Sequence, residues 1–524
     1  MTEFTSSLRS IFFNVWREKR IFAISFGIAL AQFQYGFDSS AVSGFQSMVG
    51  FLKIFGYEDP TESIGYNIRT TPHTLIQSLM QVGGLLASIF IFTLGSGISR
   101  RLGLWIASAF SLIAVSVQIG TTSFAGLYLG RLLLGVSNGF YLTYSVTYMG
   151  EIAPVSIRGA LIGLVTFQTS FGALVGVLVD NYTETYFNRL SYQVPLAVMF
   201  AIPAMLSAAL IFLCDTPRYY VSIDREDLAS ASIRQIRGIK DESQLRNEVR
   251  EIHAEWTAER ELHQNVHFRD AFRGSDLRRT MITIGTGIAQ TATGIIFMAA
   301  FSVYFFVQAN IGEPFKWVMI SLAIAITGNL AAFPAMRWIN FRPMLVIGSL
   351  VSGASMLGMG IVYTVSPVGS PEAGKALVGL SILFTWVYGF AQGPVLWAIQ
   401  TEIPAQRLRS QTVGLAQGCN FIFAWLCTYC TPYFVNPDSL GWGPKYCYIW
   451  AGSNFILAIW VFLFVPETRG RSIRQIDEIF SSKISALKSS RSISANGLSN
   501  RDGMIRAELG KESDVVQLEH VTER

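Results

Sequence analysis

The sequence predicts an all-α membrane protein with twelve transmembrane helices, arranged as two pseudo-symmetric halves of six. Of the 524 residues, 51% are hydrophobic and only 14% are charged, a composition too apolar for an ordinary soluble domain. Twelve apolar runs follow one another along the chain, and each approaches the roughly 20 residues that a helix needs to cross a bilayer. One long polar stretch, residues 215–280, separates the first six runs from the last six.

Each apolar run is expected to form one span. In chain order the predicted spans are 22–46, 72–95, 102–120, 124–148, 159–180, 194–214, 281–308, 316–336, 343–364, 377–400, 411–434 and 447–466. No small-residue cleavage site follows the first run, so we expect a retained span rather than a signal peptide. The predicted organisation is an N-terminal segment 1–21, a first half 22–214, a linker 215–280, a second half 281–466 and a tail 467–524, disordered after about residue 480.

Basic residues predict the orientation of the bundle. Lys and Arg are most frequent in the N-terminus, the linker and the tail, and the short loops on that side also hold more of them than the opposite loops. By the positive-inside rule, both termini and the linker are cytoplasmic. The net charge of +5 is dispersed over loops and tails, so nucleic acid is not an expected partner. Within the linker, Leu245, Val249, Ile252 and Trp256 recur at helical spacing, which predicts short amphipathic cytoplasmic helices.

Matching motifs close corresponding spans in the two halves. After the fourth and tenth spans the chain reads Glu151-x-x-Pro154-x-x-x-Arg158-Gly159 and Glu402-x-Pro404-x-x-Arg407-x-Arg409. After the sixth and twelfth it reads Asp215-Thr216-Pro217-Arg218 and Pro466-Glu467-Thr468-Arg469. One six-helix unit is therefore expected to be present twice. Duplicated helical halves around a site at the membrane midplane are how many secondary transporters are built.

Two charged residues are expected deep within the spans. Asp38 lies in the first span and Arg131 in the fourth. A carboxylate in hydrocarbon costs several kcal/mol, so Asp38 must be paired, face water or take up a proton. Arg131 stays charged, so only the aspartate can titrate. The pair is therefore either a proton switch or a fixed ion pair that locks two helices together.

Uncharged polar groups on separate spans predict a shared binding cavity for a neutral ligand. The candidates are Gln168, Gln290, Gln392, Trp397 and Asn420. A buried amide without a partner is costly, so each amide must bind a ligand or bridge two helices. The indole face of Trp397 could stack on a sugar ring, or it could pack against lipid.

Other motifs carry weaker signals. Cys427-x-x-Cys430 has the spacing of a metal or redox pair, but two small core residues are the alternative. Asn181-Tyr182-Thr183 is a glycosylation sequon whose closeness to the membrane could block its use. The sequence contains no nucleophile elbow, phosphate loop or metal-ligand cluster. We therefore expect neither an enzyme nor a bound cofactor or metal.

The motifs resemble those of the sugar porter family of the major facilitator superfamily, from about Phe22 to Phe480. The most specific stretch is Pro466-Glu467-Thr468-Arg469-Gly470-Arg471-Ser472-Ile473, and Asp215-Thr216-Pro217-Arg218-Tyr219 and Gly393-Pro394-Val395-Leu396-Trp397 support it. The resemblance is greatest to fungal proton symporters of hexoses or α-glucosides, including maltose- or lactose-permease-like members. It implies that Asp38 and Arg131 couple protons and that Gln168, Gln290, Trp397 and Asn420 contact the sugar. It also implies a cytoplasmic gate network of Glu151, Arg158, Asp215, Arg218, Glu402, Arg409, Glu467 and Arg469.

The chain departs from the family pattern in three places, one of which is the loop after the eighth span, with Arg337 where an acid would stand and Asn340 in place of Gly. In the seventh span, Thr291 stands where the family has Gln, and Ile296 stands where it has Asn. The loop after the second span reads Arg100-Arg101-Leu102-Gly103-Leu104-Trp105, without the family's acid and last two arginines. The first expectation is a monomeric plasma-membrane symporter of protons and a neutral sugar. A non-transporting sugar receptor, and a transporter of a polyol, cyclic acid or secondary metabolite, remain alternatives.

Overall fold

The structure is a computed structural model that describes most of the chain from Arg17 to Ser482. The described residues are 17–60, 65–154, 157–239, 241–263, 267–308, 311–367, 370–471, 473–482 and 486. The predicted N-terminal segment 1–21 and the tail 467–524 therefore lie partly outside the described residues.

Twelve long helical segments follow one another, and we call them spans 1 to 12. The bounds are Lys19–Phe45, Thr70–Leu94, Arg100–Gly120, Phe124–Ile152, Arg158–Thr183, Leu190–Val198 with Ala201–Phe212, Gly274–Ala292 with Ile295–Gln308, Pro314–Trp338, Phe341–Val365, Pro371–Val387 with Tyr388–Gln392 and Gly393–Glu402, Arg409–Val435, and Cys447–Phe464. Several spans begin earlier than hydropathy predicts, because polar first turns such as Gly274–Thr280 continue the helix into the linker.

Ten of these segments are long and apolar enough to cross a membrane by length and composition. Spans 1 and 4 are the other two, at 27 and 29 residues. Span 1 carries buried Gln32, Gln34 and Asp38, and span 4 carries buried Arg131 and Asn138. Because these side chains face other helices and not lipid, both spans tolerate polar residues that lower their mean hydropathy.

The spans pack as two six-helix halves. In the first half span 1 packs against span 5, and span 4 packs against spans 2 and 3; in the second half span 9 packs against span 12, and span 7 against span 11. Spans 2 and 11, 5 and 8, and 1 and 7 pack across the interface between the halves. The all-α architecture predicted from the hydropathy pattern is confirmed.

The two ends of the bundle differ. The end that we call the loop 1/2 end carries a short helix, Val49–Phe55, and an antiparallel pair of strands, Tyr57–Glu58 and Tyr66–Asn67. The opposite end, the linker end, carries helices Pro217–Ser222, Glu226–Arg237, Glu242–His263 and Ile473–Ser481. The linker forms amphipathic helices, as predicted. Leu245 and Val249 lie on the apolar face of one of them and pack against Ile233 of another.

Two spans of the second half are interrupted. Span 7 breaks at Thr293 and Gly294, where Gly294 has a φ of 88° that favours glycine. Span 10 contains a π-helical segment, Tyr388–Gln392, directly before Gly393 and Pro394. Such segments are frequent at functional sites. Discontinuous spans also expose backbone groups near the midplane, as in many transporters.

The packing of span 1 on span 5 depends on glycine. A Cβ at Gly36 would lie 1.9 Å from the carbonyl oxygen of Thr169. We therefore expect Gly36→Ala to lower the free energy of unfolding by about 1–3 kcal/mol, because the two helix backbones must separate. Thermal unfolding of the purified protein measures this loss. Gly27→Ala is the matched control in the same helix, since its Cβ would lie 3.8 Å from the Ala209 Cβ; equal losses in both variants would contradict the prediction.

Candidate functional site

Asp38 and Arg131 form an ion pair in the interior of the first half. Arg131 Nη1 lies 2.7 Å from Asp38 Oδ1, and both side chains are fully buried. Asn138 Nδ2 donates to the second carboxylate oxygen at 3.2 Å. The predicted partners are therefore in contact, and the carboxylate has a donor for each oxygen.

Arg131 is held independently of Asp38. Its Nε donates to the carbonyl oxygen of Ile76 at 2.9 Å, and its Nη2 lies 3.1 Å from Met80 Sδ. Both partners belong to span 2. If Asp38 took up a proton, span 1 would lose its ion pair to span 4 while the guanidinium kept its contacts with span 2. Protonation of Asp38 would therefore weaken the contact between spans 1 and 4 without moving Arg131 away from span 2.

A second group of polar side chains connects spans 7, 10 and 11. Gln290 Nε2 donates to Gln400 Oε1 at 2.9 Å, and Thr291 Oγ1 donates to Asn420 Oδ1 at 2.6 Å. Two predicted cavity residues, Gln290 and Asn420, are thus joined to neighbours on other spans. Thr291, where the family pattern has Gln, still provides a hydrogen bond but reaches less far.

Within the described parts of the spans, three amides keep a donor without a hydrogen-bond partner. They are Gln168 on span 5, Gln400 on span 10 and Gln417 on span 11, each through Nε2. Unpaired buried donors are costly, and a ligand oxygen would satisfy them. Sequence reasoning missed Gln400 and Gln417, although the signal that selected Gln168, an amide within an apolar span, applies to both.

Gln392 and Trp397 lie in different surroundings from the other candidates. Gln392 is fully buried and bonds to Ser349, Ser352 and Asn454 on spans 9 and 12, at 3.0–3.2 Å. It therefore bridges helices within the second half. Because both polar atoms of its side chain already have partners there, Gln392 is not part of the proposed substrate site. The side chain of Trp397 is 49% exposed.

The charged motifs at the linker end have equivalent roles in the two halves. Asp215 accepts hydrogen bonds from the backbone N–H groups of Arg100 and Arg101, where span 3 begins. Glu467 accepts from the N–H groups of Phe341 and Arg342, where span 9 begins. A carboxylate at a helix N-terminus satisfies free N–H groups and opposes the helix dipole.

Other gate residues pair within their own half. Glu151 forms an ion pair with Arg100 at 2.8 Å, and Thr216 also donates to it. Arg469 donates to the carbonyl oxygen of Trp338 at 2.9 Å, and to the Asn340 side chain. Arg100 was missed as a gate residue, because the expected family motif lacks an arginine at this place.

The remaining predicted residues are less informative. Glu402 lies beside Thr468 and within the field of Arg409. Arg218 takes part in interactions at the linker end, and the side chain of Arg158 lies outside the described part of the chain. Cys427 and Cys430 are free thiols.

The predicted glycosylation site lies inside a helix. Asn181 belongs to the last turn of span 5, and Thr183 is 4% exposed, with its Oγ1 donating to the carbonyl oxygens of Val179 and Asp180. A sequon in this conformation is a poor acceptor, because its threonine is not free. We do not carry glycosylation of Asn181 further.

Hydrogen bonds join the two halves at the loop 1/2 end. Thr70 Oγ1 lies 2.5 Å from Asp438 Oδ1, and His73 Nδ1 lies 3.3 Å from Asn436 Oδ1. Closer to the midplane, Gln77 Nε2 donates to the carbonyl oxygen of Ala300 at 3.1 Å. Spans 2, 7 and 11 therefore meet, and this end of the bundle is closed.

The comparison with protein families agrees with this architecture. Residues 24–480 match the family described as "Sugar (and other) transporter". The chain belongs to this family. It is therefore a sugar porter of the major facilitator superfamily, a multi-span membrane protein of a transporter family and not an enzyme.

Relatives of this sugar porter include both transporters and a sensor. It is 26% identical to the Major facilitator-type transporter ecdD of Aspergillus rugulosus, over 87% of this chain and 86% of the relative. It is 27% identical to the High glucose sensor RGT2 of Saccharomyces cerevisiae, over 86% of this chain but only 60% of the sensor. The Hexose transporter HXT8 of the same yeast is 24% identical, over 91% and 84%.

Solved structures show the same fold. The xylose transporter XylE from E. coli, in a partially occluded inward-open conformation, matches with a TM-score of 0.71 and 18% identity, over 87% of this chain and all of that one. Its inward-open form matches with a TM-score of 0.70. The predicted two-half major facilitator fold is confirmed.

The ion pair yields a stability prediction. Arg131→Met leaves the Asp38 carboxylate buried without its cation, and we expect a loss of about 3–5 kcal/mol in the free energy of unfolding. The double variant Asp38→Asn with Arg131→Met should lose much less, because no charge is left unpaired. Thermal unfolding in detergent measures both. A double variant as unstable as Arg131→Met alone would show that lost packing, and not an unpaired charge, causes the effect.

Proposed function

We propose that this sugar porter carries a neutral sugar into the cell together with protons, by alternating access. The observation that carries the proposal is the sealed Asp38–Arg131 pair, in which a titratable carboxyl is bonded to a cation that stays charged. The Asp38 carboxyl would take up a proton from one side and release it on the other. A proton that moves through the membrane potential supplies about 2.3 kcal/mol per 100 mV.

The polar groups of spans 5, 7, 10 and 11 support a neutral, hydroxyl-rich substrate. Gln168, Gln400 and Gln417 offer free amide donors, and Asn420 accepts from Thr291. Besides Arg131, the buried arginines among the described residues are Arg279 and Arg342, which lie near the linker end. An anionic substrate would have no free cation near these amides.

The distribution of contacts supports a rocking motion of the halves. Charged groups of the gate network pair within a half, so they brace each half as a rigid body. The polar contacts between halves at the loop 1/2 end are individual hydrogen bonds, worth about 0.5–1.5 kcal/mol between neutral groups and about 1.5–3 kcal/mol where the Asp438 carboxylate accepts from Thr70. The ring of His73 also packs against Phe301 of the other half. Opening this end would break these bonds and separate the apolar side chains around them, while the ion pairs within each half stay formed.

The proposed orientation follows from the basic residues. The linker end is rich in Lys and Arg, so we place it and both termini in the cytoplasm. The loop 1/2 end then faces outward, and the conformation described is closed to the outside. We propose a monomer in the plasma membrane.

Sugar sensing is the second candidate function, because the sensor RGT2 is among the relatives. A transporter of a less hydroxylated compound is the third, because Thr291 and Ile296 replace two amides of the family pattern. Flux separates these candidates. A sensor would bind sugar without moving it, whereas a carrier of another compound would move that compound and leave sugars outside.

Uptake of labelled hexoses, disaccharides and polyols into proteoliposomes tests the proposal directly. With an imposed proton gradient, we expect accumulation of at least one sugar above its external concentration, and loss of that accumulation with a protonophore. Asp38→Asn should abolish accumulation but retain exchange of sugar across the membrane, because its side chain cannot titrate. Accumulation by Asp38→Asn would refute the coupling role, and absence of flux for every sugar would refute sugar transport.

Closure at the loop 1/2 end makes a separate prediction. With Thr70→Cys and Asp438→Cys together, a short thiol-reactive crosslinker should join the halves, because the native side chains touch. We expect uptake to fall to background after crosslinking and to return when a cleavable linker is cut. Each single variant, treated in the same way, controls for the five native cysteines. Full uptake by the crosslinked protein would contradict alternating access through this end.

A further inference from the structure

A second carboxyl is buried in the first half without any ion pair. Asp180 lies in the last turn of span 5, and its side chain is fully buried. Neither carboxyl oxygen has a hydrogen-bond donor among the described residues. The negative end of the helix dipole lies at this turn and disfavours an anion. An ionised carboxylate buried without a donor costs several kcal/mol, so Asp180 must hold a proton in this conformation.

Span 1 leaves space for this side chain through a glycine. A Cβ at Gly44 would lie 1.9 Å from Asp180 Oδ2 and 2.7 Å from its Cγ. The carboxyl therefore packs directly on the backbone of span 1, a turn and a half beyond Asp38. The missing side chain of Gly44 leaves room for the carboxyl, but Gly44 donates no hydrogen bond to it.

The charged groups around Asp180 do not compensate an anion. Glu184, one turn further along the chain, adds a negative charge. The turn of span 1 from Ser40 to Gly44 has no titratable side chain. At the start of span 8, Glu313 pairs with Lys316 at 2.8 Å, and both are exposed. Arg189, before span 6, is exposed too. Of these charged groups, Glu184 acts on Asp180, and its negative charge disfavours ionisation of the Asp180 carboxyl.

Glu184 connects this site with the outer surface. It lines a cavity of about 480 Å³ between the halves, together with Ser47, Val49, Ile311 and Glu313. Burial, and then the charge of Glu313, raise the pKa of the half-buried Glu184 carboxyl. Residues 180 and 184 lie on the same face of the helix. Two carboxyls one turn apart therefore lead from the cavity towards span 1.

We propose that Asp180 is a second proton-binding site, distinct from Asp38, which holds a proton while the loop 1/2 end is closed and exchanges it through Glu184. Span 1 contacts the second segment of span 7 at this end. Separation of the halves would let water reach the cavity and the carboxyl behind it. Closure of this end would then take up a proton independently of the ion pair.

Infrared absorption of the purified full-length protein in lipid nanodiscs tests this site without measuring transport. A protonated carboxyl has a carbonyl band that carboxylates lack. At neutral pH we expect a band in the wild type that is retained in Asp38→Asn and lost in Asp180→Asn. Asp227→Asn is the control, since this carboxyl is 69% exposed and forms an ion pair with Arg225. A band unchanged in Asp180→Asn overturns the proposal and leaves the coupling role of Asp38 untouched.

A second variant keeps the test decisive if Asp180→Asn does not fold. Glu184→Gln removes the negative neighbour, so the pH at which the band disappears should shift downward. An unshifted midpoint overturns the link to Glu184. The pH dependence of unfolding gives an independent measure, because a native state that holds an extra proton loses stability as pH rises. Where Asp180→Asn folds, it should remove that part of the loss, and an unchanged pH profile would overturn the site.

Discussion

No charge in this bundle can be left unpaired away from water, and the arrangement of the first half follows from this constraint. Asp38 and Arg131 lie fully buried at 2.7 Å, which brings spans 1 and 4 together. Arg131 also binds the Ile76 carbonyl oxygen, so span 2 joins the same site. Three helices are therefore held by one guanidinium, and only the contact with span 1 depends on the charge of a titratable group.

The same constraint explains the linker end. Asp215 and Glu467, which follow the last span of each half, bind the N–H groups that begin spans 3 and 9. In each half an anion thus ties the last span to the third, which stiffens the half. The interface between halves at the loop 1/2 end uses hydrogen bonds such as Thr70 to Asp438. Ion pairs such as Arg100 with Glu151 lie within a half, whereas hydrogen bonds and ring contacts such as His73 with Phe301 join the halves at this end.

Hydropathy and charge predicted much of this arrangement. Apolar runs predicted all twelve spans; ten of the observed helices are long and apolar enough to cross a membrane, and the other two carry the paired charges. The side-chain directions in span 10 were not predictable. Its π-helical segment ends at Gln392, and one extra residue in a turn rotates everything beyond it by about 100°. Gln392 bonds to spans 9 and 12, whereas Gln400, further along span 10, bonds to Gln290 of span 7.

The sequence by itself determined the number of spans, the duplication and the pairing of Asp38 with Arg131, because the membrane penalises every exposed polar group and leaves few arrangements. Only the tertiary structure decided which polar groups find partners. Gln392 is satisfied and Asp180 is not, although both are polar residues in apolar helices. Partners come from other helices, so their presence depends on helix rotation and on close approaches such as Gly44 to Asp180.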